Sequence, residues 1–282
     1  MKASSARITQ SEVLPLKSDL GALANRINKR TQTAHNSINK LMVLKFSLAL
    51  RDAKIYRQGI QMYYHVFKSI EKSLQREMAR DTQYAEILKA IYRPAILRTE
   101  RLHQDLMFFY GDEKKFATPI LEKQIEFCEH IEKVTQEKPY LLLAYMHVLY
   151  LALFAGGKIF SSKLAQTLGM FPHVEGKTAE EVMLGATTFF KFDVEDDESL
   201  RIEYKRDYEL ATRNSLTEHE KQEIIEESQY VFVTNSECVK EIETHNLKRL
   251  QGKLAYQVAT KGYYVMWVLA VLCMMYYVRS FI

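Results

Sequence analysis

The sequence predicts an all-α protein, and three observations carry that prediction. Among 282 residues there are only 10 glycines and 5 prolines, too few to punctuate a chain of short strands. Charged stretches carry apolar residues at intervals of three and four, with little strict alternation. One stretch, Tyr140 to Ala155, holds no Asp, Glu, Lys or Arg, only His147 and three tyrosines among its apolar residues. With 47% hydrophobic residues, the chain has material for a sizeable core in one or two domains.

Residues 1–18 read as a disordered lead, polar and without the apolar run of a signal peptide. A first helix is predicted from about Asp19 to Lys40, capped by Ser18 or Asp19, with Leu20, Leu23, Ala24, Ile27, Ala34 and Ile38 on one side. His35 lies on it, preceded by Lys29 and Arg30. A lone histidine in such a setting is more often hydrogen-bonded than a ligand. A second helix is predicted from about Ile55 to Glu77, buried through Met62, Val66, Phe67 and Ile70, with Tyr63, Tyr64 and His65 adding polar-tipped bulk. Two helices interrupted at Pro94 follow between Ala85 and Tyr110, with Gly111 as the stop, then another from about Pro119 to Gln136.

The chain from Pro139 to Leu168 is the centre of the pattern. Gly156 and Gly157 interrupt its apolar run without a proline. Each glycine costs a helix interior roughly 1 kcal/mol relative to alanine, so either something passes close to the backbone or the helix bends there. A helix C-cap followed by a second helix explains the pair equally well. The stretch is only just long enough to cross a bilayer and has His147 in its middle, which favours a buried core helix.

Beyond it, GATTFFKF should pack under the bundle, and Asp193 to Glu198 reads as a solvated acidic turn. Helices are predicted at about Leu200–Ser215 and Thr217–Asn246, the latter with Thr217 and Glu220 at capping-box spacing. From Gly262 to Val278 there is no charge, and Tyr263, Tyr264 and Trp267 at one edge mirror Tyr276 and Tyr277 at the other. That is the pattern of a membrane span with aromatic belts, long enough for a thin bilayer such as that of the endoplasmic reticulum. Lys248, Arg249, Lys253 and Lys261 before it place positive charge on the cytosolic side. The organisation is therefore a lead (1–18), a helical domain (19–247), a basic linker (248–261) and a C-terminal anchor (262–279).

The formal net charge of +4, from 39 Lys+Arg against 35 Asp+Glu, argues against nucleic acid as a partner but suits a weak encounter with an acidic protein. Cys128, Cys238 and Cys273 share no short spacing, so neither zinc nor a disulfide framework is indicated. GGKIFSS lacks the earlier glycine and the Ser/Thr directly after lysine that a phosphate loop needs. Glu180-Glu181 and Asp196-Asp197-Glu198 read as solvated surface, and no Ser-His-Asp or Cys-His arrangement emerges.

Four stretches in this order resemble the heme oxygenase family, in particular its fungal, membrane-bound members. They are RTQTAHNSINKLM, YRQGIQMYYHVFKSIEKSL, RLHQDLMFFYG, and KPYLLLAYMHVLYLALFAGGKIFSSKLAQ followed by GATTFFKF; the likeness covers about Leu20 to Asn246. The resemblance implies heme held between a proximal and a distal helix and serving as both cofactor and substrate. With O2 and electrons from NADPH, delivered by the membrane-bound cytochrome P450 reductase, it would yield biliverdin, CO and ferrous iron, for iron recovery. It assigns His35 as the iron ligand and places Gly156 and Gly157 on the distal helix. Lys29, Arg30, Lys205, Arg206 and Arg213 become candidates for the heme propionates. One departure stands out. The family's distal aspartate and an upstream arginine correspond here to Leu153 and Leu149, which leaves His147, Tyr64 and Tyr145 as candidate distal polar groups. A heme sensor or buffer without turnover is the alternative, and a tail-anchored scaffold without heme the second.

Overall fold

The computed structural model describes residues 15–16, 18–50 and 52–279, and among these there is no strand. The expected lead lies almost wholly outside them. The helices are α1 (Leu23–Ala49), α2 (Ala53–Met78), α3 (Gln83–Ile91), α4 (Thr99–Tyr110), α5 (Glu122–Glu137), α6 (Leu142–Tyr145), α7 (Leu151–Ala165), α8 (Ala179–Gly185), α9 (Asp197–Arg213), α10 (Glu218–His245), α11 (Leu247–Gln251) and α12 (Leu254–Arg279). They form two compact units, divided between Val239 and Lys240.

In the first unit α2 is the central helix, buried along most of its length and packed against α3, α4 and α5. Its start is fixed by Asp52, whose carboxylate accepts the Lys54 N–H at 3.0 Å. No such stop-start signal lies between Lys40 and Asp52, so α1 runs to Ala49 rather than ending near Lys40. The break at Pro94 holds, as a single 3-10 turn (Pro94–Ile96) between α3 and α4. Gly111 ends α4 at φ 66°, donating its N–H back to Met107. The capping box at α10 forms, with Glu220 accepting from the Thr217 N–H at 2.7 Å.

The apolar stretch is a core helix. Pro139–Gly157 is long and apolar enough to cross a membrane, yet 72% of it is buried inside the protein. It does not break at the glycines. The departure from α geometry comes earlier, as a π turn over Met146–Tyr150 that joins α6 to α7. Such a turn accommodates one extra residue in the helix, and two tyrosines of α9 hold it. Tyr204 Oη donates to the Met146 carbonyl and Tyr208 Oη to the Leu143 carbonyl, each at 3.0 Å.

GATTFFKF packs inside, fastened by two buried charges. Arg98 has no exposed surface; its guanidinium donates to the carbonyls of Ile96 (2.8 Å), Phe189 (3.0 Å), Lys191 (2.6 Å) and Ala95, and lies over the Phe192 ring. Asp105 takes the opposite role, accepting from the N–H groups of Thr188 (2.8 Å) and Phe189 (2.9 Å) and from the Thr188 hydroxyl. Burial pushes the Asp105 carboxyl up to about 6 and the Arg98 guanidinium down to about 10. Asp105→Ala strands those donors in the interior. It should lower unfolding stability by about 3 kcal/mol in urea titrations, and a loss below ~1 kcal/mol would show that the clamp is dispensable.

In the second unit, α12 carries an apolar run, Met266–Tyr277, whose side chains are largely exposed, with Trp267 at 70% and Tyr276 at 77%. A surface of this kind is not that of a helix packed in a soluble core.

Candidate functional site

Asn28, His35, Met42 and Phe46 recur on α1 at whole-turn spacings and so share one stripe. The ends of that stripe meet the glycine-bearing helix. Asn28 Oδ1 lies 3.0 Å from His147 Nε2 in the π turn, and the Phe46 ring lies 4.4 Å from that of Phe160 in α7. Phe190 closes the second end, 6.1 Å from Phe46 and 5.8 Å from Phe160. His35 falls between the two contacts. It is exposed, and its ring meets Phe232 of α10 edge-on at 5.9 Å. Among the described residues neither of its nitrogens has a hydrogen-bond partner.

Opposite, α7 bears a stripe of small residues. Ala152 and Ala155 are exposed and Gly156 half-buried. A Cβ on Gly156 would stand 3.0 Å from the Phe160 ring, whereas a Cβ on Gly157 would meet the Phe190 carbonyl at 3.3 Å. The pair therefore admits two neighbours: Gly157 the Phe190 carbonyl of the clamped loop, and Gly156 the Phe160 ring. The expectation of a close approach to the backbone is met at Gly157; a bend at the pair is not seen.

His147 is buried and neutral. Burial, with the nearby Lys205 ammonium adding to it, pushes its imidazole down to about 4. Its ring packs on Tyr208 at 5.3 Å, and Nδ1 is buried without a hydrogen-bond partner. The five candidate cations separate clearly. Arg206 donates to Asp207 at 2.9 Å. Arg213 is held by Asp19 at 2.6 Å and by Glu209. Arg30 donates to Gln229 at 3.3 Å, and Lys29 is exposed on α1. Lys205 is half-buried, close enough to influence His147, and its own ammonium is pushed down by burial and by Arg201. It is the candidate cation at the Asn28–His147 end.

Tyr64 is not brought to this place. It is buried among His65, His103 and Phe116, with Lys68 Nζ 5.4 Å from its ring centre. Tyr145 is likewise directed elsewhere, its hydroxyl donating to Glu227 of α10. The residue next to Tyr64, a hundred degrees round the helix, is the one that sequence reasoning passed over. Tyr63 Oη lies 3.9 Å from the Met42 sulfur and 3.2 Å from Asn235 Oδ1, with its ring stacked on Phe189 at 6.0 Å. Burial pushes its phenol up to about 12. Its signal was its spacing of four from Phe67, which also packs on Phe189.

The heme oxygenase family model matches residues 21–241 of this chain. The chain belongs to the heme oxygenase family. The yeast heme-binding protein HMX1 is 38% identical over 274 residues, spanning 90% of this chain and 86% of its own. The heme oxygenase of Guillardia theta is 26% identical over 78% of this chain and 86% of its own. The heme oxygenase of Leptospira interrogans superposes with a TM-score of 0.64 at 25% identity, covering 78% of this chain and 99% of that one. The heme complex of heme oxygenase-1 from Synechocystis shares the fold, with a TM-score of 0.66 at 24% identity over 82% of this chain and 96% of that one.

The His147 shift has a sign. Its unfolded imidazole takes up a proton near 6.5, and the folded one only near 4. Between those values the unfolded state binds more protons, so stability is full above about pH 6.5 and lost as pH falls toward 4. His147→Gln, which keeps an amide for Asn28, should flatten that acid loss by up to about 3 kcal/mol in urea titrations at pH 7 and pH 4.5. His65, also pushed down to about 4, leaves a residual slope in the variant.

The cation assignment is tested by hemin titration. Lys205→Ala should weaken hemin binding about tenfold through loss of one charge-assisted contact. Arg206→Ala and Arg213→Ala should each change it by less than about twofold, because those guanidinium groups already have carboxylate partners.

Proposed function

We propose that this protein is a heme oxygenase that opens the heme ring to biliverdin, CO and ferrous iron. The observation that carries the reading is His35, whose ring nitrogens have no hydrogen-bond partner among the described residues, on the stripe of α1 whose ends meet the glycine helix at His147 and Phe160. The residues present fit heme. His35 would hold the iron, and the exposed Ala152 and Ala155 would leave the other face open to a flat ring and a small second ligand. Lys205 would take a propionate at the Asn28–His147 end. Heme, when bound, supplies the iron that takes up O2 and electrons, and the ring that is cut. The chain has no flavin or nicotinamide motif, so electrons would come from NADPH through the cytochrome P450 reductase. The exposed apolar length of α12 supports anchorage in the endoplasmic reticulum membrane, with the helical domain in the cytosol.

The protein's own part in the reaction would be exclusion and placement. Phe46, Phe160 and Phe190 close one end of the site, and the apolar Leu149 and Leu153 keep water out of the glycine helix's flank. His147, neutral and buried, would hold its place through Asn28 without adding charge. Tyr63 would be the nearest hydroxyl on the α2 side and would hold its proton throughout the neutral range.

Heme binding without turnover is the second reading, and one observation favours it: Leu149 and Leu153 are buried where the family resemblance implies an arginine and an aspartate. The two readings separate in one experiment on the full chain in detergent. Hemin should give a Soret band that decays to a bilin, with CO released, when NADPH and reductase are added. A band that persists would establish the binding protein instead, and no band would refute both. His35→Ala should cut hemin affinity at least tenfold and abolish turnover; unchanged affinity would remove His35 as the ligand.

A further inference from the structure

The charge of this chain is unevenly placed. From Thr244 to Ile282 there is no Asp or Glu, whereas Lys248, Arg249, Lys253, Lys261 and Arg279 all fall there. These five cations exceed the whole formal surplus of +4, so the chain before Thr244 is in sum slightly acidic. The basic character of the protein belongs to the segment that leads into and forms the exposed apolar helix.

The second unit arranges these cations in a short space. α11 exposes Lys248 and Arg249 around the buried Leu250, and α12 exposes Lys261 just ahead of its apolar run. The 26 residues of α12 span about 39 Å at 1.5 Å per residue. The hydrocarbon core of a bilayer is about 30 Å thick, and a few Å less in the endoplasmic reticulum. If the uncharged length from Gly262 onward fills that core, the remaining two turns, Leu254 to Lys261, stand at headgroup level. Lys253 and α11 follow directly on the same side. The unit as a whole, Lys240–Ile282, carries six Lys and Arg against two carboxylates, Glu241 and Glu243.

We propose that Lys248, Arg249, Lys253 and Lys261 form a docking collar for anionic phospholipid headgroups, so that the protein prefers membranes rich in such lipids. The proposal rests on the membrane reading of α12 and deepens it by naming the lipid chemistry that the anchor selects. Insertion of the apolar run is indifferent to headgroup charge, whereas each Lys or Arg near an anionic surface strengthens binding about fivefold. The attraction fades beyond a Debye length, about 8 Å at physiological salt, which limits it to cations near the headgroups. The chain before Thr244 has a formal net charge of only −1, so the positive surplus that sets the preference resides in this segment.

Trp267 provides the readout, as the single tryptophan of the chain, 70% exposed on α12. The full chain is transferred from detergent to vesicles of phosphatidylcholine, and to vesicles of phosphatidylcholine mixed with phosphatidylserine, and its emission is followed. A blue shift on both, with stronger partitioning to the serine-containing vesicles that collapses in high salt, is the expected result. K248Q and K261Q should each reduce the preference about fivefold while leaving insertion into neutral vesicles and the hemin Soret band unchanged. Equal partitioning to both vesicle types overturns the proposal and leaves the anchor standing. So does a preference that survives replacement of all four cations by glutamine. No blue shift on either vesicle removes the membrane reading itself, and this proposal with it.

Discussion

Arg98 is the group on which the rest of the domain depends. A guanidinium without exposed surface survives in a protein interior only if its donors are satisfied, and here four backbone carbonyls satisfy them. Two of those carbonyls belong to the chain between Phe189 and Lys191, and Asp105 grips the same chain by its N–H groups. A connecting segment is thereby held through both its carbonyls and its N–H groups. Its aromatic side chains then do structural work in two directions. Phe189 packs on Tyr63 and Phe67 of α2, and Phe190 seals Phe46 against Phe160. Charges in and around the connection between α3 and α4 thus determine the shape of a wall that α1 and α7 share.

Most of this fold could be read from the sequence, because helices of this length announce themselves by the period of their apolar residues. Pro94, Gly111 and the Thr217–Glu220 box marked their boundaries through backbone chemistry that needs no tertiary context. α1 overran its expected end because Lys40 carries no stop signal. The π turn was invisible for a related reason: nothing in MHVLY distinguishes a helix with one extra residue from an ordinary one.

The site was legible in its outline and less so in its detail. The helix that carries His35 meets the glycine helix, through Asn28 at His147 and through Phe46 at Phe160. The cations could not be sorted from sequence, because Lys205, Arg206 and Arg213 share one helix and differ only in which carboxylates reach them. Asp19, which holds Arg213, comes from the far end of the chain. Arg98 itself read as one more surface charge, since its partners are carbonyls and carbonyls leave no trace in composition. Tyr63 and Tyr64 differ by one position, and only the packing of α2 decides which of them looks toward α1.

The π turn has a consequence of its own. A helix is a counting device: each residue added or removed turns everything beyond it through a hundred degrees. With Tyr204 and Tyr208 fastening the carbonyls of Met146 and Leu143, the helix is indexed at its N-terminal end. The azimuth of Gly156 is then fixed by how many residues separate it from that index. Losing any one residue between Met146 and Tyr150 would restore regular geometry and leave every side chain beyond it chemically intact. It would also swing Phe160 away from Phe46. What the turn preserves is phase: that count sets which face α7 turns toward α1.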